Sequence, residues 1–165
     1  MKLCIDCDDA ALSLKKVLYE SLKDQGLNIV DLDYAATKEN PFYPEIGYHL
    51  ALKIQDGSYD RGILICGTGL GMAMVANKVE GVYAGVCHDC FSAERLKKSN
   101  DANVLTLGER VVGPELAKMI VTAWLNADFS GGGSAPKVDQ MRALERQSFQ
   151  GDPLPEGPVR NNLDF

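Results

Sequence analysis

Five short apolar segments, each followed by a stretch with helical spacing, constrain this chain more than any other feature. "KLCIDC" (2–7), "LNIVDLDY" (27–34), "RGILIC" (61–66), "VYAGVC" (82–87) and "NVLTLG" (103–108) read as strands. Residues 10–25, 45–55, 69–79, 92–98 and 113–127 read as helices. In the first, Leu12, Leu14, Val17, Leu18 and Leu22 form the apolar side and Gly26 closes it. Asp56-Gly57 ends the second, and Pro114 stands near the start of the last. "RGILIC" is apolar enough to be buried on both faces. The alternation predicts a five-stranded parallel sheet covered on both sides, an α/β fold in one doubly wound domain. Ligands of such sheets bind beyond the carboxyl ends of the strands. Those ends carry Asp6 to Asp9, Cys66 to Gly71, His88-Asp89 and Gly108 to Arg110.

The 165 residues suffice for one core, and 17 Lys and Arg against 23 Asp and Glu leave a net charge of −6. A chain of that sign repels phosphate backbones at long range, so nucleic acid is not an expected partner. An anionic ligand has to be held locally. No apolar run reaches the roughly 18 residues of a spanning helix, so no membrane partner is expected. The start, "MKLCIDCDDA", is acidic and unlike a signal peptide, and a cytoplasmic location is expected.

Cys4 and Cys7 form one C-x-x-C, Cys87 and Cys90 another, which on spacing alone is a zinc pattern. A zinc knuckle needs a turn between its ligands, whereas Cys4 and Cys7 fall on a strand, with opposite parity. Buried free thiols are the expected state, and no metal.

One domain is expected over 1–148, where "SGGGSAPK" reads as a flexible link and 137–148 as a helix. The tail over 149–165, rich in Pro and Gly, is expected to be disordered or an arm laid on a partner.

"ILICGTGLGMAMVANK" (63–78) runs from a strand into a glycine turn. Gly67, Gly69 and Gly71 let the backbone turn sharply and face its N–H groups, with those of Thr68 and Leu70, toward an oxyanion. The alternative is a tight turn whose glycines serve packing only. It is not a phosphate loop of the G-K-[ST] kind, since Lys78 comes too late. Cys66 at the strand end, against a helix start, is placed to serve as base or nucleophile, unless it is a core thiol. Thr68 can relay protons. Base, relay and anion hole together suit proton abstraction beside a carbonyl, the chemistry of aldose–ketose isomerisation through an enediolate.

"ILICGTGLG", "ANKVEGV", "SAERLKKSNDANVLTLGERVVG" and the strand-one ending "CDD" resemble the ribose-5-phosphate isomerase B / galactose-6-phosphate isomerase family over about residues 1–146. The resemblance implies a Rossmann-like three-layer α/β/α sandwich, no metal or cofactor, and a sugar-phosphate substrate. It implies homodimers or tetramers with active sites shared at the subunit interface. It makes Cys66 the base between C1 and C2, Thr68 a relay and Gly67 to Gly71 the anion hole. Asp8 and Asn100 become binders of sugar hydroxyls or the ring oxygen, and Arg110 a phosphate ligand.

The departures from the family pattern carry information. Strand one of the ribose enzymes ends in Asp-His, and here it reads Asp8-Asp9. Their ring-opening histidine falls at Ser99, and their two basic phosphate ligands fall at Gly133 and Lys137. Asp9 would repel a phosphate near it. One explanation is a substrate that needs no ring opening. A tetrulose phosphate cannot close a furanose through its phosphorylated terminal oxygen. "YDRGILICGTG", "HDCFSAERLKKSN" and "GGGSAPKV" look close to the erythrulose-4-phosphate isomerase branch. Another explanation is a hetero-oligomer whose second subunit supplies the missing groups. A third is a sugar-phosphate-binding protein without catalysis. His88 is a further candidate acid, or else a capping or surface histidine, and His49 is expected to be structural.

Overall fold

In the computed structural model, which describes residues 1–39 and 41–150, the apolar segments pair as one parallel sheet. β1 (Leu3–Cys7), β2 (Ile29–Asp31), β3 (Arg61–Cys66), β4 (Ala84–Val86) and β5 (Val104–Gly108) lie in the order β2-β1-β3-β5-β4. Every neighbouring pair is parallel. The helices are α1 (Leu12–Asp24), α2 (Tyr43–Gln55), α3 (Leu70–Ala76), α4 (Cys90–Lys98), α5 (Pro114–Leu125) and α6 (Ala135–Gln150). Leu14, Leu18, Ala93, Ile120 and Trp124 bring α1, α4 and α5 onto one face. Ile46, Leu50, Met72 and Ala76 bring α2 and α3 onto the other. Covered on both sides, β1, β3 and β5 bury every residue, which is why they read as continuous apolar runs.

At the amino edge Arg61 is buried over the Trp124 ring and donates to the carbonyl oxygens of Trp124, Leu125 and Ala127. It thereby satisfies the end of α5. α6 crosses the same edge, burying Val138 and Ala143. Arg142 pairs with Asp101 at 2.7 Å, and Glu145 accepts from the Tyr83 hydroxyl and the Gly81 N–H.

Four expectations change. β2 is shorter than 27–34, because Asp33 takes a left-handed backbone (φ 43°) and the Tyr34 N–H turns to the buried carboxylate of Asp6, at 3.2 Å. A 3-10 turn over Tyr34–Thr37 follows. The first helix is preceded by a 3-10 turn over Asp9–Ala11, and this rotates Leu12 out of the core, to 54% exposed. The "SGGGSAPK" stretch contains a 3-10 turn, Gly132–Ser134, and Ser130 before it bonds the Lys98 carbonyl through both N–H and hydroxyl. The last helix runs two residues past 148, to Gln150, and the rest of the tail, 151–165, lies outside the described residues.

Cys4 lies in the α2/α3 layer, whereas Cys7, Cys87 and Cys90 lie in the α1/α5 layer, so the two C-x-x-C pairs do not converge. Burial pushes the thiols of Cys4 and Cys7 up to about 12 and that of Cys87 to about 11. No helix among the described residues is long and apolar enough to cross a membrane.

Candidate active site

The carboxyl ends of β1, β3 and β5 open into a cleft of about 360 Å³ lined by Asp8, Ala10, Tyr43, Cys66, Gly67, Thr68, Gly71 and Arg110. Two other depressions of similar size lie along Glu94, Lys98 and Asn126 and along Glu20, Asp24 and Lys118, away from these strand ends. Strand register builds the site. The Asp8 N–H donates to the Ile65 carbonyl at 3.3 Å, which sets Asp8 beside Cys66. On the other side Cys66 pairs with Gly108, and a methyl group on Gly108 would come within 2.7 Å of Thr68 Cα. Only a bare backbone there lets the loop fold over β5.

The loop then folds back on the thiol. Cys66 is 6% exposed, and its Sγ accepts a hydrogen bond from the Gly69 N–H at 3.0 Å. Gly69 has φ +78° and lies against the Leu107 backbone, so it is bound to be glycine both by conformation and by space. Its carbonyl is anchored by the buried hydroxyl of Thr106, at 3.0 Å. The N–H groups of Thr68 and Gly71 meet no acceptor among the described residues and remain available to an oxyanion. The Arg110 guanidinium covers Gly67, where a methyl group would meet it at 3.3 Å, and the Arg110 N–H donates to the Gly67 carbonyl. This puts one permanent cation over the loop.

Asp8 Oδ1 accepts from the Ala10 N–H at 3.1 Å. Burial raises its pKa above the ordinary carboxyl value and Asp9 adds to that, while the Ala10 N–H and Arg110 pull it down. Asp9 itself is exposed on the 3-10 turn, and Leu70 is 53% exposed at the start of α3.

Asp8, Cys66, Gly67, Thr68, Gly71 and Arg110 are therefore together, as the sequence pattern predicts. The other candidates lie elsewhere. His88 follows β4 at the same edge, but β5 separates it from β3, and its Nε2 is buried with no partner among the described residues. Ser99 and Asn100 follow α4, whose nine residues carry the chain back to the amino edge. Lys137 is exposed in the first turn of α6 at that same edge. One chain thus divides the candidate residues between two opposite edges. Tyr43 and Thr106 were not anticipated. Tyr43 lies so close to Gly71 that a methyl group there would approach its ring to 2.5 Å. Its signal was Pro44, in the first turn of α2 beyond a strand's carboxyl end.

The family model described as Ribose/Galactose Isomerase matches residues 3–141. D-erythrulose-4-phosphate isomerase of Pectobacterium atrosepticum is 52% identical over 147 residues, 89% of this chain and 97% of that protein. The solved ribose-5-phosphate isomerase B of Clostridium thermocellum superposes with a TM-score of 0.83 at 40% identity, covering 90% of this chain and 99% of the other. That of Mycoplasma genitalium, with bound ribulose-5-phosphate, gives 0.82 at 37% identity, covering 88% and 97%. With the family model matching most of its length and these relatives matching nearly all of it in sequence and fold, the chain belongs to the ribose/galactose isomerase family.

Proposed function

We propose that this protein interconverts the aldose and ketose forms of a four-carbon sugar phosphate, with Cys66 as the base. The observation that carries the reading is the sulfur at the floor of the cleft, within 3.0 Å of the Gly69 amide and beside Asp8. The 52% identity to an erythrulose-4-phosphate isomerase supports the substrate, as does Ser99 where a ring-opening histidine would stand.

In the direction ketose to aldose, the Cys66 thiolate takes a proton from C1, beside the C2 carbonyl. The electron pair of that C–H bond forms the C1–C2 double bond of an enediolate. The Thr68 and Gly71 amides meet the charge that develops on oxygen. Thr68 passes the hydroxyl proton from O1 to O2, and the Cys66 thiol, whose proton exchanges with solvent, delivers a proton to C2. No net redox change or co-reactant is needed. Arg110 neutralises part of the phosphate charge, which a chain of net charge −6 does not otherwise attract.

The division of Ser99, Asn100 and Lys137 from Cys66 supports a shared site, in which a second copy brings its amino edge to this cleft. A homodimer or tetramer follows from that reading. The five free cysteines suit a reducing compartment, and we place the protein in the cytoplasm. The test is a screen of phosphorylated tetroses, pentoses and hexoses read by NMR. Interconversion of a tetrulose 4-phosphate with its aldose is the result expected; inertness toward every sugar phosphate overturns the assignment.

A further inference from the structure

Three cations crowd the end of α4, and two are already paired. Lys97 reaches Asp101 at 2.6 Å and Lys98 reaches Glu94 at 3.0 Å. Half-buried Arg95 has no carboxylate partner among the described residues. It is clamped instead by a neutral group. The Ser99 hydroxyl oxygen accepts from Arg95 Nε at 2.8 Å and also from a terminal guanidinium nitrogen. The clamp fixes the guanidinium plane and leaves its remaining N–H donors without an acceptor among the described residues. A planar cation held by a hydroxyl, in an acidic chain, is prepared for an anion from outside.

Position 99 identifies the anion. The family resemblance places there the histidine that opens a pentose ring. In the furanose form of ribose 5-phosphate the ring oxygen is O4, borne by C4. In a tetrose 4-phosphate that same O4 carries the phosphate. The atom meeting position 99 therefore changes from a ring oxygen that needs a proton to an ester oxygen beside a dianion. An imidazole acid suits the first and a guanidinium the second. The phosphate positions that the resemblance implies have also lost a cation, since Gly133 stands at one of the two basic ones.

We propose that Arg95, positioned by Ser99, binds the phosphate on O4 of a four-carbon substrate seated in the Cys66 cleft of a second copy of the chain. The proposal rests on the shared-site isomerase reading and names its phosphate ligand. Arg95 is a binding residue in it, and Ser99 a positioning residue.

The experiment compares the native protein with Arg95→Gln and Arg95→Lys, using calorimetry with two inert probes, a tetritol 4-phosphate and ribitol 5-phosphate. Arg95→Gln keeps a side-chain donor for Ser99 but removes the charge. It should weaken tetritol 4-phosphate by about tenfold or more, the scale of a charge-assisted hydrogen bond, and ribitol 5-phosphate by less. Arg95→Lys should recover part of the loss, with melting temperatures unchanged. Native-like tetritol 4-phosphate binding by Arg95→Gln, or equal weakening of both probes, would overturn the proposal even if the protein is an active isomerase. Conversely, Arg95-dependent binding by a protein that isomerises no sugar would uphold it and sink the isomerase reading.

Discussion

The Gly69 amide donates to the Cys66 sulfur at 3.0 Å, so the turn proposed as the anion hole also holds the proposed base. Both tasks depend on the left-handed backbone of Gly69, wedged against Leu107. Gly69→Ala should therefore destabilise the fold by about 1–3 kcal/mol, the cost of a strained backbone. Its kcat should fall further than the loss of folded protein accounts for. Denaturant melts together with active-site-normalised kinetics check both; a variant with native stability and kcat would show that the turn is slack.

The buried carboxylate of Asp6 sets a pH dependence. Burial raises its pKa to about 6, against the pull of the Cys7 and Tyr34 N–H groups and of Lys15, with Asp31 opposing that pull. The folded state thus holds the proton more tightly than the unfolded chain, and Asp6 favours folding more as pH falls from about 7 toward 4. His49 works in the opposite sense, because burial and Lys53 lower its pKa. The difference in stability between native protein and Asp6→Ala isolates the first effect. Native protein should gain on the variant by about 1 kcal/mol between pH 7.5 and 5. A constant difference across that range contradicts it.

The fold was legible wherever burial on two faces forced continuous apolar runs, as in "RGILIC" and "NVLTLG". It was less legible where a side chain diverted the backbone. Asp6 ends β2 early through the Tyr34 amide, and Asp8 caps the turn that exposes Leu12. The cleft could be read from strand ends and the glycine turn. Thr106 escaped because a buried strand threonine looks like packing, and its bond to Gly69 spans 37 positions. Ser99 and Asn100 read as neighbours of the site only through the family resemblance. The length of α4 sends them to the opposite edge, a fact of topology that local sequence does not carry.

That separation gives a prediction about assembly. If the amino edge of one copy completes the cleft of another, the active species is a homodimer or larger. Sedimentation at micromolar concentration, with activity measured on the same samples, should find no active monomer. A stable monomer with full turnover would contradict the shared site.

The substrate preference rests on Ser99. On the proposed reading, a protein without an imidazole at that position has to wait for the scarce linear form of ribose 5-phosphate, which reduces apparent affinity by that fraction. We expect kcat/KM on a tetrulose or tetrose phosphate to exceed that on ribose 5-phosphate by about tenfold or more. Ser99→His should raise the pentose activity more than the tetrose activity. If the native protein prefers ribose 5-phosphate and His88→Ala abolishes that activity, His88 opens the ring and the preference argument is wrong.

The account depends most directly on Cys66 as the base, and one measurement reaches it: turnover of tetrulose 4-phosphate in deuterated water, followed by NMR, for native protein and Cys66→Ala. The native enzyme should place deuterium at the carbon that gains the proton. The variant should fold normally and turn over at least about 100-fold more slowly, the scale of a lost general base. Ordinary turnover by Cys66→Ala would contradict proton transfer through this thiol.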